Sequence, residues 1–354
     1  MRWDHLNIEH DEAATLPGYR EPAHVRRFNV PEAMDTRFYE VRAKSVLNRV
    51  PERSRMPFRW TINPYRGCSH ACTYCFARPT HTFLGFNPGR DFEREIVVKV
   101  NAPEVVRAAL GRPRWGREHV AMGTNTDPYQ WVESKYRLMP EIWQALGDRA
   151  TPSSVLTKSP LLLRDADLMV RAAERAPVFA DLSIPTWDER AWRQTEPHTP
   201  NPRARMEAVA ELNRRGIPTG VLVAPLMPGI NDAPAQLEPL LAAAAEAGAV
   251  QIGGIGLHLR GETRDVFMDW LRSCRPDLVE HYEELYGAGD YLPSYERRRL
   301  ARLIRTASRD PAPGADAVEG TERFRAMRAA RRGGGPPRPS PPRAGRAVAQ
   351  ETLF

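Results

Sequence analysis

The chain has 354 residues, enough for one large α/β domain or two ordinary ones, and either buries a full core without covalent staples. Its four cysteines, three of them within eight positions, are too few and too clustered for a secreted disulfide framework. The charged opening MRWDHLNIEHDEAATLPGYR has no signal-peptide core and no run of about 18 apolar residues follows, so we expect a soluble, cytoplasmic protein with no membrane partner.

The formal charge of +7 is unevenly spread: residues 311–354 carry eight Arg, no Lys and four acids, so the preceding part is nearly balanced. That tail contains RRGGGPPRPSPPRAGR, whose Pro, Gly and Arg cannot build a core, and it is expected to be a disordered extension. The excess charge therefore does not mark a nucleic-acid-binding core.

Residues 1–57 are polar and Pro-punctuated and read as an N-terminal lead-in, with one stretch from Arg37 to Val50 whose apolar positions follow a helical period only loosely. From there short apolar runs alternate with longer amphipathic ones, the pattern of parallel strands joined by crossover helices. The expected strands are 59–63, 119–124, 154–158, 178–184, 219–226 and 251–259. The expected helices lie near 103–110, 137–147, 162–175, 202–215, 239–247 and 264–274. Asn101 and Asn201, each just ahead of a Pro in the first turn, are expected N-caps, and Gly111 and Gly216 expected stops. Six βα units are too few to close an eight-stranded barrel. The expected fold is α/β, a partial (βα)6 TIM-type barrel over 58–300, with an open doubly wound sheet as the rival.

Directly after the first expected strand stands NPYRGCSHACTYCFARPTH. Cys72 and Cys75, three apart, fit one side of a turn, and Gly67 frees the backbone just before Cys68. A 4Fe-4S cluster takes four thiolates, one per iron. Three local ones, Cys68, Cys72 and Cys75, leave one iron open for a substrate or cofactor. The competing readings are a dithiol at Cys72 and Cys75, or a structural zinc site completed by His70 or His81 in a non-catalytic zinc- or RNA-binding protein.

This C-x3-C-x-aromatic-C loop after a first strand resembles the radical SAM superfamily, over about residues 58–260. The texts NPYRGC at 63–68 and TNTDPYQ at 124–130 resemble its spore photoproduct lyase-like branch. The resemblance implies a 4Fe-4S cluster, S-adenosylmethionine (SAM) chelated to the open iron, and a 5′-deoxyadenosyl radical that takes a hydrogen atom from substrate. It also implies an external reductant such as a flavodoxin or ferredoxin. A nucleic-acid lesion or nucleotide is one implied substrate class, and a peptide or small metabolite another. No catalytic residue is assigned.

By the same resemblance Tyr74 packs near adenine, and Thr124, Asn125 and Asp127, after the second strand, hydrogen-bond the amino group of SAM. Lys158, ending strand three, meets its carboxylate, and Ser183, ending strand four, stands at a place of polar SAM contacts. Glu196 and Arg205 form a candidate charged pair beside them. Pro225, Pro228, Gly229 and Asn231 form a rigid loop near adenine, and His258 stands near the end of strand six. The lyase itself uses a further cysteine near the end of strand two as a hydrogen-atom donor; HVAMGTNTDPYQ has none, and Cys274 reads as a structural thiol.

Overall fold

The computed structural model describes residues 8–307, apart from 34, 53, 55 and 57. In chain order its strands are β1 (Ile8–Ala14), β2 (Ala23–Phe28), β3 (Arg37–Val41), β4 (Leu47–Arg49), β5 (Trp60–Ile62), β6 (Tyr65–Arg66), β7 (Glu95–Lys99), β8 (Val120–Met122), β9 (Ser153–Thr157), β10 (Val178–Ser183), β11 (Thr219–Leu226) and β12 (Ile252–Gly256). The helices are α1 (Asp91–Arg94), α2 (Ala102–Leu110), α3 (Glu133–Tyr136), α4 (Leu138–Asp148), α5 (Ala166–Ala173), α6 (Glu189–Thr195), α7 (Pro202–Arg214), α8 (Pro234–Glu246), α9 (Thr263–Cys274), α10 (Val279–Leu285) and α11 (Ser294–Ala307).

The larger sheet runs β12-β11-β10-β9-β8-β5-β4. From β5 to β12 its neighbours are parallel and in sequence order, each connection carrying a helix, while β4 pairs antiparallel with the outer side of β5. The ends do not pair with each other, so the six strands make an open, partial (βα)6 arrangement rather than a closed barrel. All six expected strands are present, generally shortened at their ends.

Amphipathic periodicity explains the outer layer. In α4 the residues Leu138, Met139, Ile142, Trp143, Ala145 and Leu146 are buried at helical spacing and join one core with Val106 of α2 and Ala172 of α5. The Trp143 indole N–H donates to the Tyr129 hydroxyl at 2.7 Å, which satisfies a polar group that the core would otherwise strand. Asn201 caps α7 by accepting from Arg203 N at 2.8 Å, and Gly216 takes the left-handed φ of +81° just past its end.

Other local expectations differ. The Asn101 side chain does not cap α2; its amide accepts from Ala43 N at 2.8 Å and donates to Ala43 O at 3.0 Å, binding the chain that leaves β3. Helix α8 starts at Pro234, five residues before the expected position, because that Pro presets the first turn. The 162–175 segment opens as a 3-10 turn over Pro160–Asp165, capped by Ser159, before α5 begins.

The lead-in region carries β1 to β4, three of them in a second sheet, β1-β2-β3-β7-β6. In β3, Phe38 packs into the main core while Tyr39 and Val41 pack with Val97 and Leu84 in a second cluster. With both faces covered there is no single apolar face, which is why Arg37–Val41 shows neither a clean helical nor a clean alternating pattern. Strand β7, EIVVK, is fully buried, joins β3 in parallel and β6 antiparallel, and was not among the expected strands. The tail at 311–354 lies outside the described residues. No described helix is long and apolar enough to cross a membrane.

Candidate cofactor site

The cysteine loop leaves β5 and is fastened at several points. Gly67 has φ +76°, and a Cβ there would stand 2.8 Å from Phe92 O and 2.9 Å from the His81 ring, so no other residue fits without moving backbone. The Gln130 side chain clamps the next turn, accepting from Ser69 N at 3.0 Å and donating to Gly67 O at 3.1 Å. Cys68 N donates to Phe92 O at 2.9 Å.

Arg78, three residues past the last cysteine and 2 % exposed, holds the far side. Its guanidinium donates to Cys72 O at 3.0 and 3.1 Å, Ala71 O at 3.3 Å, Pro88 O at 3.1 Å, Gly89 O at 2.6 Å and the Glu93 carboxylate at 3.1 Å. The fork of five N–H donors thus gathers carbonyls from two loops and stacks on Phe92, 5.3 Å from the ring centre. Arg78 and Gln130 were not among the expected site residues. Their partners lie 6 to 63 positions away, so the only local signal was an Arg close behind the cysteines.

Burial drives the thiols toward the neutral form. Cys72 is pushed up to about 12 by burial and the nearby Glu196 carboxylate, and Cys68 well above the usual thiol range by burial and Asp127. Three thiols with suppressed ionisation, Cys68 and Cys72 buried and Cys75 partly exposed, are a donor set for a cationic metal centre, whose charge supplies what the site lacks. The histidines do not join them: His70 Nδ1 faces Asp127 at 3.3 Å and His81 Nε2 pairs with Glu95 O at 2.9 Å. Among the described residues no three His, Cys, Asp or Glu side chains surround a point where one metal ion would sit. Thiolates that each bind a different iron of a cluster need no such convergence.

Behind the loop the strand ends bring together a charged network. Lys158 Nζ lies 2.7 Å from Ser183 Oγ and 2.7 Å from Glu196 Oε1, and 5.5 Å from the centre of the Tyr74 ring. The Tyr74 hydroxyl donates to the same Glu196 oxygen. Arg205 Nη2 reaches Glu196 Oε2 at 2.7 Å, and its other nitrogens donate to Ser183 O at 2.9 Å and Pro200 O at 2.8 Å. Burial alone would raise the Glu196 pKa, but Arg205 and Lys158 overcome it and hold the carboxyl at about 2. Two cations against one carboxylate leave a net single positive charge, and the Lys158 ammonium keeps a third donor for another acceptor.

Tyr74, Lys158 and Ser183 are therefore brought together, with Glu196 and Arg205 as their common support. Asp127 sits on the other side: its carboxylate accepts from Thr157 Oγ at 2.6 Å, Tyr129 N at 2.8 Å and Lys158 N at 2.7 Å, besides His70. Burial would raise its pKa, but His70, Thr157 and the Lys158 amide lower it. Those four groups saturate the carboxylate, so Asp127 braces the segment just after β8 against the end of β9. Thr124 and Asn125 lie on the same segment, and Asn125 Oδ1 is buried without a partner. Asn63 Oδ1, Ser69 Oγ and Thr73 Oγ1 around the cysteine loop are likewise buried and unpaired. Buried polar atoms left unmet cost about 1–3 kcal/mol each, so orphans clustered at one place fit an additional polar group.

The loop after β11 is closed by its own bonds and by neighbours from the loop after β10 and from α10. Asn231 donates to Pro185 O at 2.7 Å and Pro225 O at 3.0 Å and accepts from Met227 N at 2.6 Å, while Gly229 N donates to Asp232 at 2.7 Å. Pro228 O accepts from the Tyr282 hydroxyl at 3.0 Å. His258, just past β12, bridges to Tyr291.

Comparisons with known proteins agree with this arrangement. The family model described as Radical SAM superfamily matches residues 62–237. An uncharacterized protein of Mycobacterium tuberculosis is 46% identical over 312 residues, spanning 86% of this chain and 92% of that one. A protein of Pseudomonas phage M6 named radical SAM Nalpha-GlyT isomerase is 28% identical over 168 residues, 47% of this chain and 33% of its own. Among solved structures, a point mutant of spore photoproduct lyase superposes with a TM-score of 0.58 at 18% identity, covering 78% of this chain and 79% of that one. Spore photoproduct lyase complexed with dinucleoside spore photoproduct gives 0.57 at 15%, covering 78% and 80%. At those identities the structures establish the shared fold. Together with the matched cysteine region they show that this chain belongs to the radical SAM superfamily and is a radical SAM enzyme built on the spore photoproduct lyase-like fold.

Proposed function

We propose that Cys68, Cys72 and Cys75 hold a 4Fe-4S cluster and that SAM binds between the cysteine loop and the β8, β9 and β10 ends. The observation that carries this reading is the Lys158 ammonium, held by Ser183 and Glu196 at 2.7 Å each and lying 5.5 Å from the centre of the Tyr74 ring, beside the cysteine loop. Its spare donor and the net positive charge suit the SAM carboxylate, the unpaired Asn125 Oδ1 suits the amino group, and Tyr74 offers a ring face to adenine.

When bound, the cluster and SAM supply a 5′-deoxyadenosyl radical through one-electron cleavage of the S–C5′ bond. The chain's own task is placement. Arg78, Gln130 and Gly67 fix where the thiols stand, Asp127 braces the Asn125 turn, and Arg205 keeps Glu196 ionised so that Lys158 stays in register. The buried setting of Cys68 and Cys72, 7% and 6% exposed, keeps bulk water from the reacting centre.

The substrate in this reading is a nucleic-acid lesion or nucleotide, supported by the fold shared with a lyase whose solved complex holds a dinucleoside. The strand-two cysteine of that lyase has no counterpart in HVAMGTNTDPYQ, so the hydrogen returned to product comes from another source. A flavodoxin or ferredoxin in the cytoplasm provides the electron. Anaerobic reconstitution tests the reading: the protein turns brown and, with SAM and dithionite, releases 5′-deoxyadenosine. Release that persists after replacing all three loop cysteines by Ala would overturn it.

A further inference from the structure

The main-chain ladder between β5 and β8 ends where Ile62 stands opposite Met122. Past that point β5 runs into the cysteine loop and β8 into the segment that carries Asn125 and Asp127, and side chains take over the register. Thr126 Oγ1 donates to Tyr65 O at 3.0 Å, the Tyr65 hydroxyl donates to the Glu133 carboxylate at 2.5 Å, and Gln130 bonds Gly67 O and Ser69 N between them. The same segment meets the end of β9 through Asp127, which accepts from Lys158 N at 2.7 Å. Residues 125–133 therefore touch the thiol loop on one side and the strand end that presents Lys158 on the other.

A buried charged cluster holds that segment in shape. Glu133 accepts from Leu138 N at 3.0 Å and Met139 N at 3.1 Å, which fixes the reversal from α3 into α4 through Arg137, whose φ of +51° is left-handed and costs energy in any residue but glycine. Arg164, in the 3-10 turn over Pro160–Asp165, donates from Nη2 to Glu133 Oε1 at 2.6 Å and from Nη1 to Glu133 O at 3.1 Å, and its Nε and Nη2 reach the Asp165 carboxylate at 2.7 and 2.8 Å. The Tyr129 hydroxyl donates to that same Asp165 at 3.0 Å. One guanidinium thus ties the segment twice, to Glu133 directly and to Tyr129 through Asp165. Glu133 is 0% and Asp165 2% exposed, and an ionic cluster taken out of water is a poor source of stability compared with apolar packing. What it supplies is register, because the planar fork accepts one arrangement of its two carboxylates.

We propose that Arg164 and Glu133 are positioning residues that make 125–133 a rigid spacer, setting how far the three thiols stand from Asn125 and Lys158. The inference rests on the proposed seat of the cluster and SAM and adds which residues, behind that seat, fix its dimensions. A ligand gripped from two sides is bound well only at one separation of the grips, so a small slackening of the spacer weakens it while each side stays intact.

The test uses the full-length protein before and after anaerobic reconstitution. Tyr65→Phe removes one hydroxyl and leaves Glu133 its bonds to Arg164 and the two amides; Arg164→Lys keeps the charge but cannot hold both carboxylates. Tyr286→Phe is the matched control, since its hydroxyl, on a ring 1% exposed, donates to Leu257 O at 2.8 Å away from the spacer. Tyr65→Phe and Arg164→Lys should each speed hydrogen exchange at the Cys68 and Ser69 amides about tenfold in both forms of the protein. They should take up iron and sulfide at the parent level, because Arg78 still gathers the loop, and bind SAM about tenfold more weakly in equilibrium dialysis. Tyr286→Phe should lower the denaturant midpoint as they do and leave exchange at those amides and SAM binding at the parent values. Exchange at Cys68 and Ser69 that stays at the parent rate while the midpoint falls overturns the proposal and leaves the cluster a part of the general core. Loss of iron in step with loss of SAM binding, or equal weakening by Tyr286→Phe, overturns it too. A parent protein that takes up no iron sinks the cofactor reading instead, and exchange at Ser69 still decides whether the spacer is real.

Discussion

The two halves of the cofactor site are built on opposite principles. The Lys158–Glu196–Arg205 half is fully ionised and largely satisfied within the protein, its carboxylate taken up by Tyr74, Lys158, Arg205 and Thr199. The cysteine half is neutral, with thiols driven away from ionisation and four neighbouring polar atoms unmet. The charged half is held mainly by contacts within the polypeptide, with one Lys158 donor left for a ligand; the cysteine half depends on a partner from outside for its chemistry. Substitutions should therefore separate the two, with cysteine changes silent in folding and network changes costly to it.

The largest effect expected is from Cys72→Ala, which takes 5′-deoxyadenosine release to background while the thermal unfolding midpoint of the metal-free protein stays within a few degrees, since a small buried thiol is exchanged for a methyl. Glu196→Gln should do the reverse, destabilising the metal-free protein by about 3–5 kcal/mol in denaturant titration because Arg205 and Lys158 lose their shared counter-charge. The sign with pH follows from the lowered pKa. Stability contributed by the Glu196 carboxylate is present above its ordinary value near 4.5 and is lost as pH falls toward about 2, a leg of the acid profile that the Gln variant should lack.

Arg78→Lys keeps the charge but not the fork, and should reduce iron and sulfide bound per chain while costing about 1–3 kcal/mol in folding. Cluster loading equal to the parent's would show that the loop holds its shape without this arginine. Lys158→Met should weaken SAM binding roughly tenfold, or about 1.4 kcal/mol, read by equilibrium dialysis. Cys274→Ala, on the partly exposed end of α9, marks the floor: less than about 0.5 kcal/mol in stability and no change in cleavage.

The six parallel strands were legible because each is a short apolar run followed by an amphipathic helix, a pattern that local spacing carries. Lys158 and Ser183 were singled out through the family resemblance at the ends of two such strands, and the structure places them side by side at 2.7 Å. The second sheet was not. Strand β3 buries Phe38 on one face and Tyr39 and Val41 on the other, and its partner β7 lies more than fifty residues further on, so neither has a local signature. Arg78 and Gln130 escaped because their role is defined by main-chain carbonyls and amides, which no side-chain motif reports. Asp127 was singled out through the resemblance as a SAM contact, but its carboxylate is taken up by Thr157, the Lys158 and Tyr129 amides and His70, partners seen only once β9 lies beside β8.

Two glycines in β12 set how far the folding unit extends. A Cβ on Gly254 would stand 2.6 Å from Ile304, and one on Gly256 2.9 Å from Leu292, so the strand is shaped to receive α11 and the turn before it at close range. The matched family region stops at residue 237, yet a protein trimmed near there would lose β12, and one trimmed before Ser294 would bare its glycine-lined flank. Such a bared strand at the margin of a sheet invites self-association. The smallest version of this enzyme that keeps this flank covered should therefore retain the chain through residue 307, about seventy residues past the end of the family-model match.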